Sequence, residues 1–145
     1  MQTWKLKGGF LALVLLAIAA GCGSPSEVVC APVHGQVLMG GKPLAEAMVA
    51  FHPLGEHPAK APRPVAYCDQ EGRFTLTTLK SGDGAPPGRY AITIELREAK
   101  LIGEEVVRDG RNLLPPQYGN PQRSPLKCEV VAGDNAVPPI HVEQR

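Results

Sequence analysis

Between Gly88 and Arg97 the chain reads GRYAITIELR, and this stretch limits the fold more than any other. Tyr90, Ile92, Ile94 and Leu96 fall on one side of a period-two register, with Ala91, Thr93, Glu95 and Arg97 on the other. Successive side chains of an extended strand point to opposite faces, so the alternation predicts a strand with one face in a core. Shorter runs of the same kind recur. Val33 and Val37 share a face, as do Ala47, Val49 and Phe51, with Met48, Ala50 and His52 turned outward. A short strand follows at Val65–Cys68, then runs with Phe74, Leu76 and Thr78 inward, Leu126, Cys128 and Val130 inward, and Ile140 and Val142 inward. With 16 glycines and 15 prolines marking turns between the runs, the pattern predicts an all-β sandwich of seven strands. Glu98 to Asn120 breaks the pattern and reads as an irregular excursion.

The acidic stretch Asp69-Gln70-Glu71-Gly72 raises the question of a cation site. A calcium loop opening at Asp69 needs oxygen ligands at alternating positions and a bidentate Glu at the twelfth. The fifth position is Arg73 and the twelfth is Lys80, so the loop lacks that chemistry. The residues fit a type I turn instead, with Gly72 left-handed in a bulge and Asp69 bonding the turn's own amides.

Residues 1–21 carry an address. Lys5 and Lys7 precede the apolar run FLALVLLAIAA at Phe10–Ala20, and Ala19-Ala20-Gly21 leads into Cys22. The run is short for a membrane span and fits a secretory signal with a small-residue cleavage site. At this point the sequence resembles a bacterial lipoprotein precursor, and the resemblance implies lipidation, palmitate included, at Cys22. Several acyl chains on one residue hold a protein stably on a membrane. Gly23 after the cysteine resembles the pattern of lipoproteins sent to an outer membrane, facing the periplasm or the surface. The organisation is then a signal peptide over 1–21, a lipidated tether over 22–32 and one domain over 33–145. Without Lys5 and Lys7 the 15 basic residues fall to 13, against 14 acidic. With no basic block, nucleic acid is excluded as a partner on electrostatic grounds.

With Cys22 acylated, Cys30, Cys68 and Cys128 remain, an odd number in an exported chain. Two readings stay open: a Cys68–Cys128 disulfide bridging the sandwich, or free buried thiols acting as small hydrophobes.

The opening VHGQVLMGGKPLAEAMVAF, the DQEGRFTLTT hairpin and GAPPGRYAITIE together resemble the carboxypeptidase regulatory-like, transthyretin-type β-sandwich of small bacterial lipoproteins. The segment Leu114-Pro115-Pro116-Gln117-Tyr118 and the closing GDNAVPPIHVE resemble the end of that lipoprotein group. The resemblance covers about residues 33–143 and implies a Greek-key sandwich acting in folding, adhesion or carbohydrate contact.

Enzymes of the transthyretin shape end in a Tyr-Arg-Gly-Ser signature, whereas this chain ends in His141-Val142-Glu143-Gln144-Arg145. His34, His52 and His141 sit at outward strand positions and His57 in a loop, without the spacing of a metal site. Ser81 and Ser124 lie beside Gly or Pro, as turn formers do. Tyr118, among prolines, reads as packed on the sandwich edge. The proline-stiffened loops 54–64, 80–87 and 110–125 suit either a recognition surface or protection of strand edges. The sequence therefore leads to a non-enzymatic, lipid-anchored envelope protein with no catalytic residues, cofactor or metal. Its expected partners are the membrane, envelope proteins or glycans. The alternatives are a carbohydrate or small-ligand binding protein and, last, a hydrolase.

Overall fold

The computed structural model describes residues 27–58 and 61–144. The leader, Cys22 and the start of the tether lie outside the described residues. The strands are β1 (Val33–Met39), β2 (Lys42–Pro43), β3 (Met48–Pro53), β4 (Val65–Tyr67), β5 (Arg73–Thr75) and β6 (Gly88–Glu95). They continue as β7 (Lys100–Ile102), β8 (Glu105–Val107), β9 (Lys127–Val130), β10 (Asn135–Ala136) and β11 (Ile140–Val142). Among the described residues the chain is all-β, with eleven strands where the alternation predicts seven. All four additions, β2, β7, β8 and β10, are two or three residues long and carry no periodic signal of their own.

Four strands make one antiparallel sheet in the order β4-β3-β6-β9. The other main sheet is built on β1, with β5 and β2 antiparallel to it and β10 and β11 parallel. Val33, Val37, Val49, Phe51, Leu76, Ile92 and Ile94 are buried in one apolar cluster, the inward sets that the alternation predicts. Phe51 and Tyr90 meet there with ring centroids 5.6 Å apart. The buried Tyr90 hydroxyl donates to Pro86 O at 2.6 Å, which satisfies the one polar atom of that ring.

The outward face of β6 departs from expectation. Ala91 and Thr93 are buried, and so is Ala50 beside them on β3. These side chains are short and central in the sheet, so the larger His52, Val65 and Lys127 in register around them take up the space. His52 Nε2 and Thr93 Oγ1 bond across the strands at 2.8 Å.

The segment read as irregular contains a hairpin at its start and is irregular beyond it. β7 and β8 pair through a turn at Gly103, φ 66°, forming a separate two-stranded ribbon. The chain then returns along the edge of β6 that β9 leaves open. Leu113 N–H donates to Leu96 O at 2.8 Å, Ser124 Oγ to Ile92 O at 2.5 Å, and Ile92 N–H to Leu126 O at 2.9 Å. Leu114 and Tyr118, on or beside a short 3-10 helix at Pro116–Gly119, fill the core from this side.

The strand order bears on the two readings left open for the cysteines, and it favours free thiols over a Cys68–Cys128 disulfide. Cys68 follows edge strand β4, and Cys128 lies on β9 at the opposite edge of the same sheet. Three inter-strand steps separate them by roughly 14 Å, twice the about 7 Å at which two Cα atoms can be bridged. Cys30, Cys68 and Cys128 are free thiols.

The Asp69–Gly72 turn forms as expected. Asp69 Oδ1 accepts from the amides of Glu71 at 3.0 Å and Arg73 at 2.8 Å. Gly72 has φ 69°, and a Cβ there would lie 2.5 Å from Val37 O. The turn thus docks on β1 through a site that admits only glycine. Gly72→Ala is expected to lower unfolding free energy by about 1–3 kcal/mol. Gly40→Ala, with φ 57° but open space, should cost less. Urea denaturation of the two variants measures the difference.

Candidate binding cleft

The β3–β6 register aligns Met48 with Glu95, and the β3–β4 register aligns Met48 with Tyr67. Residues directly opposite in neighbouring strands share a face, so Tyr67, Met48 and Glu95 form a row on the outside of the four-stranded sheet. Arg97 lies two residues beyond Glu95 and therefore near the same face. Glu46 and Arg108 close the row into a cleft of about 200 Å³.

Backbone bonds fix its walls. Glu46 N–H donates to Cys68 O at 3.0 Å and Cys68 N–H to Ala47 O at 2.9 Å, which sets Glu46 beside Tyr67. Glu46 has φ 62°, the one non-glycine positive φ among the described residues. A left-handed glutamate is sterically unfavourable and persists only where its surroundings hold it. Its carboxylate pairs with the Arg108 guanidinium, which comes from the foot of the β7–β8 ribbon. Arg97 pairs with Glu95 at 2.6 Å and also donates to Gly110 O at 3.4 Å. Arg108 further donates to Arg97 O at 3.2 Å. Two carboxylates and two guanidiniums thus neutralise one another around an apolar floor. Tyr67 stands out of that floor with 70% of its surface exposed.

The residues weighed in the sequence fall elsewhere. His34 is on β1 with Asp134 at 3.3 Å, His141 pairs with Leu38 four residues further along β1, and His52 is on the other sheet. His57 lies edge-on to the Tyr90 ring at 6.2 Å. The four histidines do not converge, and among the described residues no group of His, Cys, Asp and Glu is arranged to hold a metal. Ser124 Oγ is spent on Ile92 O and also accepts from Leu126 N–H. Tyr118 is buried, and its hydroxyl accepts from Glu143 N–H at 3.2 Å. Burial pushes the Cys68 thiol up to about 11, with Asp69 adding to it, and raises Cys30 and Cys128 as well. Thiols held protonated are poor nucleophiles.

Tyr67 is the residue that sequence reading missed. Its signal is parity: in Val65-Ala66-Tyr67-Cys68 the buried residues are Ala66 and Cys68, which puts Tyr67 outward. A second hollow of about 300 Å³ lies at the other end of the sheet, lined by Leu54, Arg89, Tyr90, Lys127, Cys128 and Glu129. It has no strained backbone and no exposed aromatic ring.

No protein-family profile matches the chain, and no curated protein does. Solved structures give two distant likenesses. One is a candidate carbohydrate-binding protein from Pseudomonas aeruginosa, 14% identical over 83% of this chain and 92% of that one, TM-score 0.44. The other is a DUF3823 family protein from Parabacteroides merdae, 12% identical over 79% of this chain and 45% of that one, TM-score 0.42. The chain thus spans less than half the length of the second protein.

His52, four residues along β3 from Met48 in the cleft, generates a pH prediction. Burial lowers its pKa below 6.5, and the Arg63 charge lowers it further. The unfolded chain therefore binds the proton more readily than the fold. Stability is full above pH 6.5 and is lost as pH falls from there through the depressed folded pKa. His52→Gln should flatten this part of the stability–pH profile in urea titrations. An unchanged profile would show that His52 does not cause it.

Proposed function

We propose that this chain is a lipid-anchored, non-enzymatic protein of the cell envelope, whose transthyretin-type Greek-key sandwich is an interaction module. The supporting observation is polarity along the sandwich. The end of the tether pairs at Ala31 with Ala85, next to the start of β6. Gly84 there has φ 90° and admits the Ala31 carbonyl where any side chain would collide. β6 then runs eight residues to Glu95 at the cleft, a distance of roughly 24 Å. Acylation of Cys22 would tie the first pole to the membrane through the tether, which leaves the cleft at the opposite pole open to envelope proteins or glycans. The cleft's charged groups are mutually paired, an arrangement that orients a ligand rather than activates a nucleophile.

A second reading, a carbohydrate or small-ligand binding lipoprotein, draws support from Tyr67. An exposed aromatic ring on a fixed strand is a ready contact surface that loses little freedom on binding.

Two measurements test the proposal. Cys22→Ser should move the protein from the membrane fraction to the soluble fraction of the envelope; retention on the membrane overturns the anchor. A photocrosslinking side chain at Tyr67 should capture an envelope component that the same group at Lys80, at the tether pole, does not. Equal capture at both positions removes the cleft as the interaction face.

A further inference from the structure

We infer that the Tyr67 cleft binds a single uncharged, polyhydroxylated ring, a neutral pyranose unit of a glycan, stacked on Tyr67 and read by the two carboxylate–guanidinium pairs. The inference rests on the interaction-module reading and names the ligand class of that face.

Charge excludes most alternatives. Glu46 and Glu95 balance Arg97 and Arg108, so the cleft has no net field to favour a phosphate, a carboxylate or an amine. An ion entering it would be attracted by one member of each pair and repelled by the other, with no net gain. A hydroxyl has no such difficulty, since it both donates and accepts. Carboxylate oxygens can take its proton while guanidinium N–H groups reach its oxygen, so each pair can hold one or two hydroxyls without breaking.

Shape narrows the class further. The floor is Tyr67 and Met48, an apolar surface beside the polar walls. A ligand matching both needs one apolar face and a polar rim, as a pyranose has and a flexible polyol lacks. The volume of about 200 Å³ lies below the about 300–1,000 Å³ of pockets for drug-sized molecules. It has room for one ring. The strained Glu46 supplies an independent pointer: a left-handed glutamate is held where it completes this wall, although glycine or asparagine would fit the backbone better.

The full chain carrying Cys22→Ser is titrated with methyl glucoside, methyl galactoside and methyl mannoside, and separately with glucuronate and glucosamine, while the Tyr67 ring is followed by NMR. At least one neutral glycoside should shift the Tyr67 ring resonances at millimolar concentration, and both charged sugars should bind more weakly. Tyr67→Ala should weaken binding about tenfold, and Tyr67→Phe should preserve it. Tyr67 is mostly exposed, so the fold is not at stake in either change. Glu95→Gln leaves Arg97 unmatched and should turn the preference toward glucuronate. The inference is overturned if no neutral glycoside moves the Tyr67 ring, if a charged sugar binds the unaltered cleft as well, or if Tyr67→Ala binds undiminished. Absence of sugar binding with Tyr67-specific crosslinking intact removes the ligand class alone. Loss of both removes the interaction face as well.

Discussion

The six-residue antiparallel register between β3 and β6 holds this molecule together. From Met48 opposite Glu95 to Pro53 opposite Tyr90 it brings the chain's longest alternating run, on β6, beside Val49 and Phe51 of β3. Val49, Phe51, Ile92 and Ile94 then present one continuous inner surface to the β1 sheet. The same pairing fixes the outer surface, because a slip of one residue would exchange every side chain between faces. Core and cleft are therefore two sides of one register. Tyr67, Met48 and Glu95 line up outside because the valines, isoleucines and phenylalanine line up inside.

A central strand needs hydrogen-bond partners along both edges, and β9 covers only the first half of β6. This shortfall explains the return of the chain after the β7–β8 ribbon. Backbone groups of Ile92 and Leu96 find partners in Ser124, Leu126 and Leu113 rather than in a regular strand. Asn112 Oδ1 accepts from both Leu96 N–H and Leu114 N–H, which pins the point of return. Because that path is fixed, the foot of the ribbon is fixed, and Arg108 is delivered to Glu46. The cleft thus takes its two arginines from the two sides of the ribbon, Arg97 before β7 and Arg108 after β8.

The layered β architecture was legible from alternation alone, since burial of one face imposes a period of two on whichever residues line it. Asp69–Gly72 was legible for a local reason: turn chemistry is written in the turn residues themselves. Strand order is different, because it is set by which edges meet. Cys68 and Cys128 both sit in apolar runs, and nothing in either run says that β3 and β6 intervene. The hairpin of residues 100–107 was obscured because Leu101, Ile102 and Val106 are apolar and yet exposed, with Leu101 at 71%. They give no inside and no outside to alternate between. Ala50, Ala91 and Thr93 show the converse. Short side chains at outward positions are buried by larger neighbours on adjacent strands, a consequence of cross-strand register that one strand's sequence does not carry.

The ribbon bears on how the cleft is maintained. Two strands of three residues with both faces in solvent have little apolar burial to stabilise them and are marginal in isolation. What holds them is peripheral: Lys100 with Asp109 at 3.2 Å, Arg111 with Glu98 at 3.7 Å, Gly110 N–H on Glu98 O at 3.2 Å, and Arg108 with Glu46. Exposed ion pairs of this kind contribute little singly. Arg108 differs in joining the ribbon to the sandwich through a glutamate whose backbone is held in a left-handed conformation. Strain at Glu46 and order at the ribbon foot are therefore linked. The Glu46 N–H bond to Cys68 O holds the backbone, and the backbone in turn points the carboxylate at Arg108. The segment without alternation and the one left-handed non-glycine residue among the described residues thus meet at the same place.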